Sequence, residues 1–222
     1  MVLPFDNSNI KNNNRTSIFT TIQCMKYTNE EIYLMKKDKF LKNVIQKNNS
    51  IKFKPRKTSY FNSLINIVIS QFISTTAASA ISKKILIYFN AKTFSPDQFI
   101  NLSIKEIKSL GLSTNKSKSI KEISEIFYES NLAYKINSFS EADLDEILLS
   151  IYGVGPWSVQ MFKLFRLGYT DIFSSKDAAL RKGMEVAGMI NSNSPEDAYD
   201  KYSEKWIPYR SIASIHLWSS IN

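Results

Sequence analysis

The chain has 222 residues, 43% of them hydrophobic, enough for one large domain or two closely packed ones with a substantial core. Lysine and arginine outnumber aspartate and glutamate 29 to 20, and the formal net charge of +9 points to an anionic partner, of which nucleic acid is the commonest. One cysteine, Cys24, excludes an intrachain disulfide and a cysteine-ligated iron–sulfur cluster. One histidine, His216, argues against a histidine-rich metal site, and no apolar run approaches the roughly 20 residues needed to span a bilayer.

Residues 1 to 25 are asparagine-rich and aperiodic, which predicts an irregular arm without the apolar core of a signal peptide. A cytoplasmic location is expected, nucleoid-associated if the source is prokaryotic. Residues 26 to 222 are expected to form the working domain. Thr28 followed by Glu31 is the pattern of a capping box and predicts a helix running to about Lys47. Phe61, Leu64, Ile65, Val68, Ile69 and Phe72 fall at helical spacing and predict a core helix ending near Gln71. Ser74 or Thr75 caps its successor, which carries Ala77, Ala78, Ile81, Ile85 and Leu86. Ser95-Pro96-Asp97-Gln98 and Ser103-Ile104-Lys105-Glu106 are two more helix starts, the second ending at Gly111. A longer helix spans about Asn115 to Ser130, and another opens near Ser140. Pro156 begins a helix that Gly168 ends, and Ser194-Pro195 and Pro208 mark the last two starts. No hairpin-bounded alternation of apolar and polar residues occurs, so the fold is predicted to be all α. His216 fits packing or hydrogen bonding beside Trp218 in the last helix.

Within this helical frame, Gly153-Val154-Gly155-Pro156 joins two apolar helices between about residues 144 and 167. Glycines there allow positive φ and close approach of a ligand, and the helix opening at Pro156 turns its positive end toward any phosphate. Those residues alone favour an ordinary glycine-rich turn, and a second feature is needed to decide. Asp177 follows about twenty residues later, at the head of a helix spanning about residues 176 to 188, where a carboxylate suits the macrodipole whether or not it has another task.

Taken together, these features resemble the helix-hairpin-helix (HhH-GPD) DNA glycosylase superfamily, and within it the alkylbase branch of 3-methyladenine DNA glycosylase II. Ile69-Ser70-Gln71-Phe72-Ile73-Ser74 resembles the family's glutamine-containing helix junction. Leu110-Gly111-Leu112-Ser113, with Lys116 and Lys118, resembles its next turn. Trp206-Ile207-Pro208-Tyr209-Arg210-Ser211-Ile212-Ala213, followed by Leu217-Trp218, resembles the C-terminal element of the alkylbase branch. The resemblance implies two packed helical subdomains with the hairpin and an active-site cleft between them.

It also implies an activity: hydrolysis of the N-glycosidic bond of an alkylated purine, of the 3-methyladenine or 7-methylguanine type, flipped out of double-stranded DNA. Asp177 would be the catalytic carboxylate. Strand-cleaving relatives carry a lysine nucleophile where this chain has Trp157, so simple hydrolysis is expected. Trp157, Trp206 and Tyr209 are candidates for an aromatic base pocket, although aromatic residues at helical spacing also suit a core. Phe72 stands where the family places an intercalating wedge, but it equally continues the apolar stripe of its helix. Gly153, Val154 and Gly155 would hold a phosphate, with Lys116, Lys118, Lys163 and Arg181 as further backbone contacts or as solvated charges. The family often adds a monovalent cation, Na or K, on hairpin carbonyls, here those of Leu149, Ile151 and Val154. No cofactor is required, no membrane is involved, and a monomer is expected. Ser174 and Lys176 depart from the family's usual residues before the catalytic acid. Two alternatives remain open at this point: a non-catalytic lesion-sensing DNA-binding protein on the same scaffold, and an oxidised-purine glycosylase.

Overall fold

The computed structural model describes residues 26–130 and 132–221, and the described residues are helical with no β-strand. The proposed arm over residues 1 to 25 lies outside them. The chain divides into two compact units, one made of its two ends, up to Phe53 and from Thr170 onward, the other of Lys54–Tyr169.

The unit formed by the chain ends holds α1 (Asn29–Lys37), α2 (Lys39–Asn48) and, from the far end, α11 (Ala178–Val186), α12 (Glu196–Ser203) and α13 (Arg210–Ser219). Leu34, Leu41, Ile45, Leu180, Met184, Ala213 and Leu217 are buried in its core. The expected capping box at Thr28 and Glu31 forms. The single helix predicted to reach Lys47 is instead two: at Asp38 the backbone turns extended (φ −142°, ψ 116°), and its carboxylate accepts from the amides of Phe40 and Leu41 to start α2. An aspartate between lysines gives little warning of this, because the same residue is ordinary on an exposed helix face.

Glu31 and His216 join the two chain ends. Both are buried. Besides the capping bond from the Thr28 amide (2.7 Å), Glu31 accepts from the Ile51 amide (2.8 Å), the Ser50 hydroxyl (2.8 Å) and His216 Nε2 (3.0 Å). Asn48 approaches His216 Nδ1 at 3.4 Å and donates to its carbonyl at 2.7 Å. These partners suit a neutral imidazole carrying its proton on Nε2. Burial pushes the Glu31 carboxyl up, but the hydrogen bonds outweigh it and leave the group below its ordinary 4.5. Burial pushes His216 below its ordinary 6.5 despite the neighbouring carboxylate.

The second unit holds α3 (Tyr60–Ser70), α4 (Thr75–Tyr88), α5 (Asp97–Ile100), α6 (Ile104–Ser109), α7 (Thr114–Glu129), α8 (Leu132–Lys135), α9 (Glu141–Ser150) and α10 (Pro156–Phe162). The central helix is α3, packed against α4, α7 and α10. Its apolar spacing forms the stripe expected, with Leu64, Ile65, Val68 and Ile69 fully buried, each worth about 1.5–3 kcal/mol on removal from water. Phe61 closes the core edge-on against Phe127 at 5.5 Å. Start signals at Ser74, Ser103 and Ser140 are realised as N-caps. After α10 the helix widens to a π turn over Lys163–Leu167 and stops at Gly168, whose left-handed φ of 80° ends it as expected.

Acid should weaken the fold through Glu31 and His216 together. Each has a folded pKa below its unfolded value, so the unfolded chain binds more protons over the interval between them, and the stabilisation is complete above about pH 6.5 and lost as pH falls. Thermal melts should show the midpoint dropping from pH 7 to below 4.5. Glu31→Gln, which turns an amide NH₂ toward donors, should cost about 3 kcal/mol by urea unfolding at pH 7.

Candidate active site and nucleic-acid interface

In the Lys54–Tyr169 unit, the organising side chain is Gln71, the residue after α3. Its amide nitrogen donates to the Gly153 carbonyl at 3.0 Å and to the Ser158 hydroxyl at 2.9 Å. The junction after α3 and the turn between α9 and α10 are therefore pinned together. Phe72, next in the chain, is fully exposed and holds a left-handed backbone with φ 57°. That conformation is rare for a bulky residue and persists only where neighbouring structure imposes it. Phe72 is thus no core residue: the stripe ends at Ile69, and the chain turns before Phe72 can join it. Ile73 beside it is also exposed. Lys116 Nζ donates to the Ile69 carbonyl at 2.7 Å, capping α3, and burial pushes its ammonium below the usual lysine range.

The hairpin turn is built around Gly153. Its φ is 74°, and a Cβ there would meet Ser119 Oγ at 2.3 Å, so the position requires glycine on both counts. Gly155 differs: it is the N-cap of α10 with no side-chain cap, and nothing lies within 4 Å of where its Cβ would point. Open space therefore fronts the first turn of α10. Val154 is buried and its amide is already spent on the Ile151 carbonyl at 3.0 Å, so its expected donation to a phosphate is corrected. The α9 helix ends at Ile151, where last-turn carbonyls lack helical partners and the negative end of the dipole attracts cations. The Ile151 carbonyl keeps one lone pair beyond the Val154 bond, so these carbonyls fit a monovalent ion. Lys118 is exposed, with its ammonium 5.6 Å from the centre of the Tyr152 ring. Tyr152 in turn donates to Asn115 at 3.0 Å. Trp157 is half-buried in the first turn of α10.

Lys163 is a second correction. It is buried and paired with Glu141 at 2.8 Å and Asp145 at 2.6 Å. Burial alone would push its ammonium down, but these two carboxylates outweigh that and raise it above the usual lysine range. Such an ammonium braces α9 against the π turn and has no reach to a phosphate.

In the other unit, Asp177 is the N-cap of α11. Its Oδ1 accepts from the Leu180 amide at 2.8 Å and from the Trp218 indole at 3.1 Å, fixing a largely buried carboxylate at the positive end of the helix. Arg181 braces the preceding turn by donating to the Ser175 carbonyl at 2.7 Å, with Glu196 at 4.0 Å, which draws its guanidinium onto the protein rather than outward. Asp171 and Arg210 pair through two parallel contacts, at 2.7 and 2.9 Å, and anchor the start of α13.

Trp206 is a third correction. It is fully buried, packs against Phe173 and Tyr202, and donates its indole N–H to Asp38 at 3.0 Å, so it offers no face to a base. Tyr209 is half-buried, with its ring edge-on to Tyr33 at 5.3 Å. The contacts missing from the expected site are Gln71 to the hairpin and Trp218 to Asp177. Both join residues too far apart in sequence for spacing to reveal. Among the described residues no group of three or more histidine, cysteine, aspartate or glutamate side chains could hold a metal ion, and no helix is long and apolar enough to cross a membrane.

With that geometry in view, the comparisons with known proteins define the class. The family model described as HhH-GPD superfamily base excision DNA repair protein matches residues 65–209, and the chain belongs to this family. It is 24% identical over 170 residues to the putative DNA-3-methyladenine glycosylase YfjP of Bacillus subtilis, covering 73% of this chain and 59% of that protein. It is 27% identical over 163 residues to DNA-3-methyladenine glycosylase 1 of Schizosaccharomyces pombe, covering 72% of each. Among solved structures, the chain is similar to the S. pombe 3-methyladenine DNA glycosylase Mag1 in complex with abasic DNA. The TM-score is 0.77 at 26% identity, over 86% of this chain and 95% of that one. A DNA-3-methyladenine glycosidase from Bacillus halodurans gives a TM-score of 0.70 at 26% identity, over 86% of this chain and 88% of that one.

The two hairpin glycines should respond differently to substitution. Gly153→Ala should destabilise the protein by about 1–3 kcal/mol, because it imposes both a left-handed alanine and a clash at Ser119. Gly155→Ala, in extended backbone and open space, should stay within about 0.5 kcal/mol of wild type. Urea unfolding of the two variants makes the comparison.

Proposed function

We propose that this chain is a monofunctional DNA glycosylase that releases alkylated purines, of the 3-methyladenine and 7-methylguanine type, from double-stranded DNA. The observation that carries the reading is Asp177, a carboxylate locked at the head of α11 by the Leu180 amide and the Trp218 indole, in a chain whose relatives bear that activity in their names. The glycosidic bond is out of reach inside a stacked duplex, so the reaction begins by extruding the base. Phe72, exposed and held in a strained conformation, is suited to fill the gap as an apolar wedge. The Gly153–Gly155 turn receives a backbone phosphate, with Lys118 beside it, and a monovalent ion on the α9 carbonyls would strengthen that hold.

As the bond from C1′ to the alkylated base breaks, its electron pair leaves with a base already carrying positive charge, and no proton need be supplied. The sugar becomes an oxocarbenium ion. Asp177 stabilises that charge and orients the water that adds to C1′, the proton passing to the carboxylate or to solvent. Trp157 and Tyr209, both only half-buried, remain the aromatic candidates for gripping a cationic base. With Trp157 where strand-cleaving relatives carry a lysine nucleophile, the abasic product is left intact.

Base release from methylated duplex DNA, followed chromatographically, tests the reading. Asp177→Asn should lower the single-turnover rate by about 10²- to 10³-fold while leaving duplex affinity near wild type. Neither protein should cleave the strand or be trapped on DNA by borohydride. Wild-type protein that binds duplex but releases no alkylated base would replace this reading with that of a lesion sensor. Release of oxidised purines alone would replace the proposed substrate.

A further inference from the structure

A second basic feature lies away from the hairpin turn. Residues 52–57 read Lys52-Phe53-Lys54-Pro55-Arg56-Lys57, four cations in six positions. Lys54, Pro55, Arg56 and Lys57 are all exposed and non-helical, yet the segment is not loose. Pro55 packs onto Gly168, where a Cβ would come within 2.4 Å of its ring, and the Arg56 amide donates to the Phe165 carbonyl at 2.8 Å. The Arg56 guanidinium then lies 4.8 Å from the centre of the Phe165 ring, and that of Arg166 lies 3.9 Å from the centre of the Tyr60 ring. Arg166 Nε is buried with no acceptor among the described residues.

Several other cations of this protein are matched with carboxylates, among them Lys121 with Glu125, Lys163 with Glu141 and Asp145, Lys182 with Glu185, and Arg210 with Asp171. Among the described residues, no carboxylate lies within ion-pair distance of Lys54, Arg56, Lys57 or Arg166. Packing on aromatic rings and a backbone bond, rather than acids, holds the two arginines in place, and Lys54 and Lys57 flank Arg56 on the same exposed segment. Two flat, pre-oriented guanidinium forks match the oxygens of a phosphate better than a point charge does. The helical run that starts after Gly155 ends beside Arg166. Eleven residues at about 1.5 Å each put the two features about 16 Å apart, the length of about five base pairs of duplex.

We propose that Lys54, Arg56, Lys57 and Arg166 form a second phosphate-contacting surface for double-stranded DNA, distinct from the hairpin turn, which extends the footprint on undamaged duplex. The proposal concerns binding and needs no catalytic role for Asp177. Its test is the salt dependence of affinity for an undamaged duplex of about 24 base pairs, measured by fluorescence anisotropy for wild type, Lys54→Gln/Lys57→Gln and Arg56→Gln/Arg166→Gln. The slope of log affinity against log salt should flatten by about 0.9 for each phosphate contact removed, about 1.8 for each double variant, with affinity falling at least tenfold at low salt.

Lys54 and Lys57 are exposed, so the lysine pair decides the matter even if the arginine pair unfolds. Wild-type affinity and slope in Lys54→Gln/Lys57→Gln would overturn the proposal. So would polyglutamate displacing DNA as well as a duplex of equal charge, which would assign the surface to an acidic protein partner. Failure of base release with these salt slopes intact would overturn the proposed activity and leave this surface standing.

Discussion

The side-chain amide of Gln71 is the interaction on which the candidate DNA-binding face depends. Its two hydrogen bonds, to the Gly153 carbonyl and the Ser158 hydroxyl, join the end of α3 to the hairpin turn across 82 residues of chain. Each is worth only about 1 kcal/mol in net stability, but both are directional, so together they fix a register rather than merely adding energy. Around that register lie the other particulars of the face: the Lys116 ammonium on the Ile69 carbonyl near the end of α3, the left-handed Phe72, and Ser119 against Gly153. A strained, fully exposed phenylalanine cannot hold its own conformation. Its neighbours hold it, and Gln71 is the one that also grips the turn proposed to bind phosphate.

A different logic builds the unit that carries Asp177. Its two chain ends meet through polar contacts inside an apolar core, Glu31 with His216 and Asp38 with Trp206. Buried groups of this kind are costly when partly satisfied, and here each has its partners, Glu31 four of them. The catalytic carboxylate proposed for this protein sits on the C-terminal stretch of that unit, at the head of α11. Its orientation is therefore tied to closure of the chain, through Trp218 in α13 and the Asp171–Arg210 pair that starts the same helix.

Local signals in the sequence are legible because their physics is local. Thr28 with Glu31, Ser103 with Glu106, Ser140, and Gly168 each act within one helical turn, and each falls where expected. Failures came where the outcome depends on a distant partner. Trp206 carries the residue type of a base-stacking platform, and only Asp38, 168 residues away, makes it a buried donor. Lys163 carries a phosphate-seeking charge that Glu141 and Asp145 consume. Val154 lies in the right tripeptide but spends its amide on Ile151. Phe72 could not be assigned from spacing because the periodic stripe runs straight through it. Its exposure follows from the chain turning at Gln71, which depends on the hairpin. Family resemblance identified the glutamine junction as a feature but did not say what its amide touches.

On the proposed function, Gln71 makes the Phe72 wedge and the hairpin grip a single element. Stopped-flow fluorescence of a duplex with 2-aminopurine beside an alkylated base reports unstacking directly, and a double-mutant cycle on Gln71→Ala and Phe72→Ala measures the coupling. Each single variant should slow unstacking by about tenfold or more, and the double variant should be no slower than the worse of the two. A Gln71→Ala protein that unstacks DNA at the wild-type rate, or effects that multiply in the double variant, would show that wedge and grip act separately.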